Sequence, residues 1–191
     1  RDGEWRAVLT VDKRRVVAAV GEQLRAPVAV RGPVLWIAPL KRQRFELVVE
    51  KATELGIAAL QPVTTAHGVV ERVNAARLGA IAREAAEQSE RSSVPELRPL
   101  VPLADALAAR DPAPPLYVAL ARTAAPPLDD AVRAHGAGDL LIGPEGGFSD
   151  AEKVRLAAAP GAVVVALGPR ILRAETAAIV GLGVLALRMS D

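Results

Sequence analysis

Apolar residues recur along this chain in short runs, and most runs are followed by a segment whose apolar positions lie three or four apart. Pro33-Val-Leu-Trp-Ile-Ala38 is such a run, and after it Phe45, Val48, Val49, Ala52 and Leu55 fall at helical spacing. Gly56 stands where a helix C-terminal cap belongs, and Ile57-Ala-Ala-Leu-Gln-Pro-Val63 reads as a second buried strand. Strand, helix and strand in this order make a βαβ unit, the building block of parallel α/β architecture. His67-Gly-Val-Val-Glu-Arg72 is a candidate for a further short strand. Asn74 then caps a helix to about Gln88, with Leu78, Ile81, Ala82 and Ala85 as its buried stripe.

The rhythm continues with a short helix over Leu103–Arg110, a strand over Leu116–Ala121 and a helix over Leu128–Ala134. Asp111-Pro-Ala-Pro-Pro115 is a loop rather than a domain boundary, because the alternation resumes at once. Leu140-Leu-Ile142 is a strand. Ser149 with Glu152 three residues on forms a capping-box pattern for the next helix, which Pro160-Gly161 ends. Ala162-Val-Val-Val-Ala-Leu167 is the most strand-like run, and Glu175–Leu187 reads as an apolar terminal helix. Gly181 and Gly183 lie inside that helix, where glycine costs about 1 kcal/mol, so close approach of another backbone is expected there.

The front of the chain has a different period. Trp5–Val11 and Arg14–Val20, joined by Asp12-Lys13, predict a β-hairpin, and two strands alone are marginal. Residues 1–30 are therefore expected to be the C-terminal part of a small β domain, and residues 31–191 an α/β domain.

Composition narrows the chemistry. With no cysteine, disulfides, thiolate zinc sites and cysteine nucleophiles are excluded. His67 and His135 lack metal-site spacing, so no metal is expected. No stretch supplies the ~20 apolar residues that span a membrane, so the cytoplasm is the default. Formal net charge is only +2, and aromatic residues are 3%, which permits an RNA partner but not a long aromatic stacking platform. Arg6 and Arg14 in the hairpin are candidates for phosphate contact, as are Lys41 and Arg44 at a helix start where the macrodipole disfavours cations. Arg83, Gln88 and Arg91 form a further candidate surface for a nucleotide; a solvated face is the competing reading for all of these.

Two strand ends share one punctuation: Leu140-Leu-Ile-Gly-Pro-Glu-Gly-Gly-Phe-Ser149 and Ala166-Leu-Gly-Pro-Arg-Ile-Leu-Arg-Ala-Glu-Thr176. Ligands of open α/β sheets bind at carboxyl ends of strands, so the pair suggests one site. Neither stretch is a Walker loop or a dinucleotide fingerprint. Proline rigidifies each turn and leaves neighbouring amides and carbonyls free to read a ligand.

These two stretches, with "VVEKATELGI" and "REAAEQSERSSVPE", resemble the ribosomal RNA small subunit methyltransferase E family, of the SPOUT class. The resemblance runs from about Trp5 to the C-terminus. It implies a SPOUT-type parallel sheet with a C-terminal trefoil knot, and makes the front hairpin the remnant of an N-terminal PUA-like β-barrel that binds RNA. It also implies a homodimer that uses S-adenosyl-L-methionine to methylate N3 of one uridine in 16S rRNA, on the assembled 30S subunit. The cofactor site it implies comprises Leu120, Ile142, Gly143, Pro144, Glu145, Gly146 and Gly147, then Leu167, Gly168, Arg170, Ile171, Leu172 and Arg173.

Uridine N3 carries a proton, so the reaction calls for a base and for a cation to meet the resulting imide charge. Glu145 and Glu175 are the carboxylate candidates, and Arg173 is the leading cation ahead of Arg170. The competing roles are a helix-start carboxylate for Glu175 and a structural ion pair for Arg173. A non-catalytic assembly factor, a small nucleotide-binding protein and a tRNA ribose methyltransferase remain as other readings.

Overall fold

A computed structural model describes residues 3–13, 15–26, 30–121 and 123–189. β1 (Glu4–Asp12) and β2 (Arg15–Arg25) form the expected hairpin, in antiparallel register from Glu4 opposite Arg25 to Asp12 opposite Arg15. Every residue of both strands is exposed. The ion pairs Arg6–Glu22, at 3.0 Å, and Arg25–Glu4, at 3.2 Å, are surface pairs of small energetic weight. Arg14 lies outside the described residues.

From residue 34 the chain alternates. β3 (Val34–Ile37), α1 (Arg42–Glu54), β4 (Ala59–Thr64), α2 (Ala75–Gln88), β5 (Glu96–Leu97), β6 (Val101–Pro102) and α3 (Leu103–Ala109) come first. They are followed by β7 (Leu116–Ala119), α4 (Leu128–His135), β8 (Asp139–Ile142), α5 (Asp150–Ala158), β9 (Ala162–Val165) and α6 (Ala174–Met189). The strands lie in the order β5-β4-β3-β8-β7-β9, with β6 also on β4, and every pairing in this sheet is parallel. The fold is thus the expected α/β class.

Strand periodicity divides the core into two layers. Leu35, Ile37, Tyr117, Leu140 and Ile142 point to one face, where they meet Phe45 and Val48 of α1, Leu78 of α2, Leu128 of α4, and Ala178 and Leu182 of α6. Their alternates Trp36, Leu116, Val118 and Leu141 point to the other, against Leu103 of α3 and Leu156 of α5. Both faces are covered, which is why these strands read as unbroken apolar runs. Asp139 fastens the two central strands: its carboxylate accepts from the Val34 N–H at 2.9 Å and from Trp36 Nε1 at 3.3 Å.

Three expectations need correction. His67–Arg72 forms no strand, because the edge of β4 is occupied by β5 and β6, two short strands that no sequence pattern announces. Inside α6, Gly181 is approached by a side chain rather than a backbone: a Cβ there would lie 2.6 Å from Leu140 Cδ2, so α6 sits close on β8. Gly183 has nothing within 4 Å.

The basic start of α1 is balanced by pairing. Arg42 donates to Glu46 at 2.9 Å, and Arg77 of α2 grips both oxygens of the same carboxylate, holding it down to about 2. Arg91 closes the other end of α1, donating to the carbonyls of Thr53 and Ile57, and burial lowers its guanidinium pKa. The capping box of α5 is present: Ser149 Oγ accepts from the Glu152 N–H, and Glu152 Oε2 accepts from the Ser149 N–H at 2.8 Å. Glu152 Oε1 also accepts from the Ala66 N–H at 2.8 Å, tying the loop after β4 to the start of α5. Among the described residues no helix is long and apolar enough to cross a membrane.

Two stability predictions follow from these contacts. Gly181→Val should destabilise the chain by about 1–3 kcal/mol through overpacking against Leu140, whereas Gly183→Ala should stabilise it by up to about 1 kcal/mol through helix propensity; urea unfolding of both variants checks this, and a destabilising Gly183→Ala would contradict it. Burial pushes the Glu152 carboxyl up, but the hydrogen bonds from Ala66 and Ser149 hold it below its ordinary 4.5. A depressed folded-state pKa contributes stability above pH 4.5 that is lost as pH falls through the folded value. Glu152→Gln should therefore cost about 1–3 kcal/mol at pH 7, with the gap to wild type closing below pH 4.5 in acid titration.

Candidate functional site

β7, β8 and β9 end level with one another: Ala119 pairs with Ile142 on one side and Val165 on the other. The segments leaving these ends, residues 120–121 and 123–127, 143–149 and 166–173, therefore begin side by side. They line one cavity of about 850 Å³ at the carboxyl edge of the sheet. Leu120, Ile142, Gly143, Pro144, Glu145, Gly146, Gly147, Leu167, Gly168, Arg170, Ile171, Leu172 and Arg173 all lie on its wall. Phe148, Thr123 and Lys153 line it as well and were not expected. Lys153 stands in the first turn of α5, next to the capping-box residue Glu152, and that helix start, directly after the glycine turn, is the signal that could have located it.

The glycine turn has its own structural reasons. A Cβ on Gly143 would lie 2.8 Å from the buried Phe148 ring, so glycine there lets the ring fold under the turn. Gly147 donates its N–H to the Pro144 carbonyl at 2.9 Å with φ 69°, a left-handed conformation that side chains resist. From outside, His67 Nδ1 lies 3.2 Å from the carbonyl oxygens of both Gly146 and Gly147 and donates to them in the tautomer that carries hydrogen on that nitrogen. The histidine thus presses the loop after β4 onto the turn.

The second loop is built differently. Among the described residues, the backbone of residues 167–172 makes no hydrogen bond to any other part of the chain. Nor does the side chain of Arg170 or Arg173 have a hydrogen-bond or ion-pair partner among them, and both are exposed at the cavity. One wall therefore presents free amides, free carbonyls and two unpaired cations, while Ile142, Leu167 and Leu172 supply apolar surface.

The two carboxylates expected to act there are treated unequally. Glu145 lines the cavity and is exposed, whereas Glu175, in the first turn of α6, is 8% exposed and lies behind the wall. Arg44 reaches both: its guanidinium lies 3.4 Å from Glu145 Oε1 and 3.6 Å from Glu175 Oε1. Among the described residues, none of those proposed for RNA contact lines the cavity. Lys41, Arg83 and Gln88 are exposed, Arg6 is paired with Glu22, and Arg91 has its donors engaged by backbone carbonyls.

A second cavity, of about 810 Å³, opens at the amino ends of β3 and β8. Two of its charged groups serve the chain itself: Asp139 holds β3, and Arg110 donates to the Pro160 and Pro114 carbonyls, anchoring the loop before β7. Among the described residues no cluster of His, Cys, Asp or Glu could hold a metal ion.

Residues 31–186 match the family described as RNA methyltransferase domain. The ribosomal RNA small subunit methyltransferase E of Rickettsia conorii is 31% identical over 187 residues, covering 93% of this chain and 74% of the relative. That of Synechocystis is 35% identical over 191 residues, covering 94% of this chain, which spans 61% of that relative's length. The crystal structure of the Neisseria gonorrhoeae protein of the same name, bound to S-adenosyl methionine, superposes with a TM-score of 0.79 at 30% identity, over 95% of this chain and 77% of that one. A parallel α/β sheet whose paired glycine loops form a single cavity, together with these similarities, makes the chain a member of the ribosomal RNA small subunit methyltransferase E family.

Proposed function

We propose that this protein methylates N3 of one uridine in 16S ribosomal RNA, within the assembled 30S subunit, using S-adenosylmethionine. The observation that carries the reading is the wall of residues 167–173, where the backbone of residues 167–172, which makes no hydrogen bond among the described residues, and the unpaired Arg170 and Arg173 face the cavity. The cavity's volume lies within the range of small-molecule sites, and its mix of apolar side chains with free backbone groups suits a nucleoside with a polar tail. The related Neisseria structure is bound to that cofactor.

When bound, S-adenosylmethionine supplies an electrophilic methyl on a sulfonium, which needs neither a metal nor a covalent enzyme intermediate. What this chain must contribute is alignment and proton handling. Ile142, Leu167 and Leu172 exclude water from one side of the cavity. Glu145, the carboxylate on the cavity wall, accepts the N3 proton, and Arg173 faces the charge that spreads onto O2 and O4 of the uracil ring. Glu175, buried behind the wall, shapes the site without meeting the base.

The same reading makes the loops around the cavity part of a trefoil knot and the front hairpin, residues 1–30, part of a PUA-like RNA-binding domain, with residues 31–191 as the methyltransferase domain. It also places a homodimer in the cytoplasm, with Lys41, Arg83 and Gln88 on the RNA-facing surface and their exposure as support.

With labelled S-adenosylmethionine and unmethylated 30S subunits, label should appear on a single uridine of 16S rRNA, and naked rRNA should be a poorer substrate. Label on ribose or on no RNA would refute the reading. Arg173→Ala should lower turnover about 10²-fold or more while cofactor affinity, measured by calorimetry, stays within several-fold; wild-type turnover would remove Arg173 from the mechanism.

A further inference from the structure

Arg44 is a cation near the start of α1 that reaches across to two loops from outside the cavity wall. Among the described residues no hydrogen bond or ion pair joins the glycine turn, residues 143–149, directly to residues 166–175. Arg44 spans that gap, with Glu145 of the turn on one edge and Glu175 of α6 on the other. We infer that Arg44 is a positioning residue for methyl transfer, one guanidinium that sets the spacing between the glycine turn and the start of α6, where the second cavity loop ends, by pairing with Glu145 of the one and Glu175 of the other.

The energetics favour this over a surface pair. Glu175 is almost wholly buried; its Oε1 faces Arg44 and its Oε2 has no partner. A carboxylate withdrawn from water needs a cation beside it, and removing that cation leaves an uncompensated buried charge. Glu145, on the open side, pairs with the same cation at 3.4 Å, which restrains the side chain proposed to take the N3 proton. Planar guanidinium geometry suits a two-sided bridge, and the point charge of lysine does not. α1 also packs directly on α6, so Arg44 is carried by a rigid element rather than by a loop. The basic residue that the helix macrodipole disfavours at this position thus has a reason to be there, and the reason is internal rather than an RNA phosphate.

This inference rests on the methyltransferase reading for its kinetic consequence, but not for the bridge itself. The test compares the full chain with Arg44→Lys, Arg44→Gln, Glu175→Gln and the double variant Arg44→Gln/Glu175→Gln. Turnover with 30S subunits, KM for the subunit, the salt dependence of RNA binding and thermal unfolding without cofactor are measured for each. Arg44→Gln should lower kcat about 10²-fold through misplacement of the reacting groups, with KM for RNA within twofold and an unchanged salt slope. Arg44→Lys, which keeps the charge, should fold normally and recover part of kcat. The double variant should be less impaired, in both turnover and thermal stability, than the product of the single effects. A raised KM for RNA at unchanged kcat, with a salt slope reduced by about one, would mean that Arg44 binds a phosphate and would overturn the inference. Independent, multiplicative effects of the two single changes would overturn it as well. A wild-type chain that neither binds nor uses S-adenosylmethionine would sink the methyltransferase reading instead, and the thermal cycle would still decide whether Arg44 and Glu175 are coupled.

Discussion

Three parallel strands ending level with one another are the constraint on which the rest of this molecule depends. Because Ala119, Ile142 and Val165 stand in register, the chain must leave the sheet three times at nearly one place. Loops that begin side by side enclose a cavity between them if their first residues are short and stiff, and Gly-Pro pairs follow two of the three strands closely. The register itself is enforced by burial on both faces: a slip of one residue would carry Leu140 and Ile142 to the side of α3 and α5, and Leu141 to the side of α6.

Around this edge the polar side chains act as ties between segments distant in sequence. Glu152 joins the loop after β4 to the start of α5, His67 rests on the carbonyls of the glycine turn, and Arg44 couples that turn to α6. Each tie comes from an element that contributes little or nothing to the cavity wall. The wall can then leave its own donors, acceptors and cations free for a ligand, because its shape is held from behind. A site fixed in this manner keeps residues 167–172 unbonded without leaving them unsupported.

The glycines of Gly143-Pro-Glu-Gly-Gly147 show how structure and ligand binding coincide. Gly143 makes room for Phe148, Gly146 for His67, and Gly147 for a left-handed turn. None of these needs requires a cofactor, yet together they place backbone groups at the cavity mouth. Glycine at these positions is therefore explained by packing and turn geometry, and the chemistry falls to the side chains beside them.

Sequence periodicity by itself determined the α/β class, the position of nearly every helix and strand, the capping of α2 and α5, and the pairing of two glycine loops at strand ends; these depend on local patterns of burial and capping that each segment carries on its own. The family resemblance supplied the expectations of a cofactor, a knot and an RNA substrate, none of which any periodicity encodes. Tertiary structure decided what depends on partners far apart in the chain. It denied a strand to His67–Arg72 because β5 and β6 already hold the edge of β4. It turned Arg91 into a brace for α1 and gave Gly181 to the side chain of Leu140. It separated Glu145 from Glu175, two carboxylates that look equivalent in sequence, by exposing one and burying the other. Arg44 lies 101 residues from Glu145 in sequence, and its meeting with Glu145 and Glu175 is set only when α1 packs on α6, a contact between helices that no pattern within either one can specify.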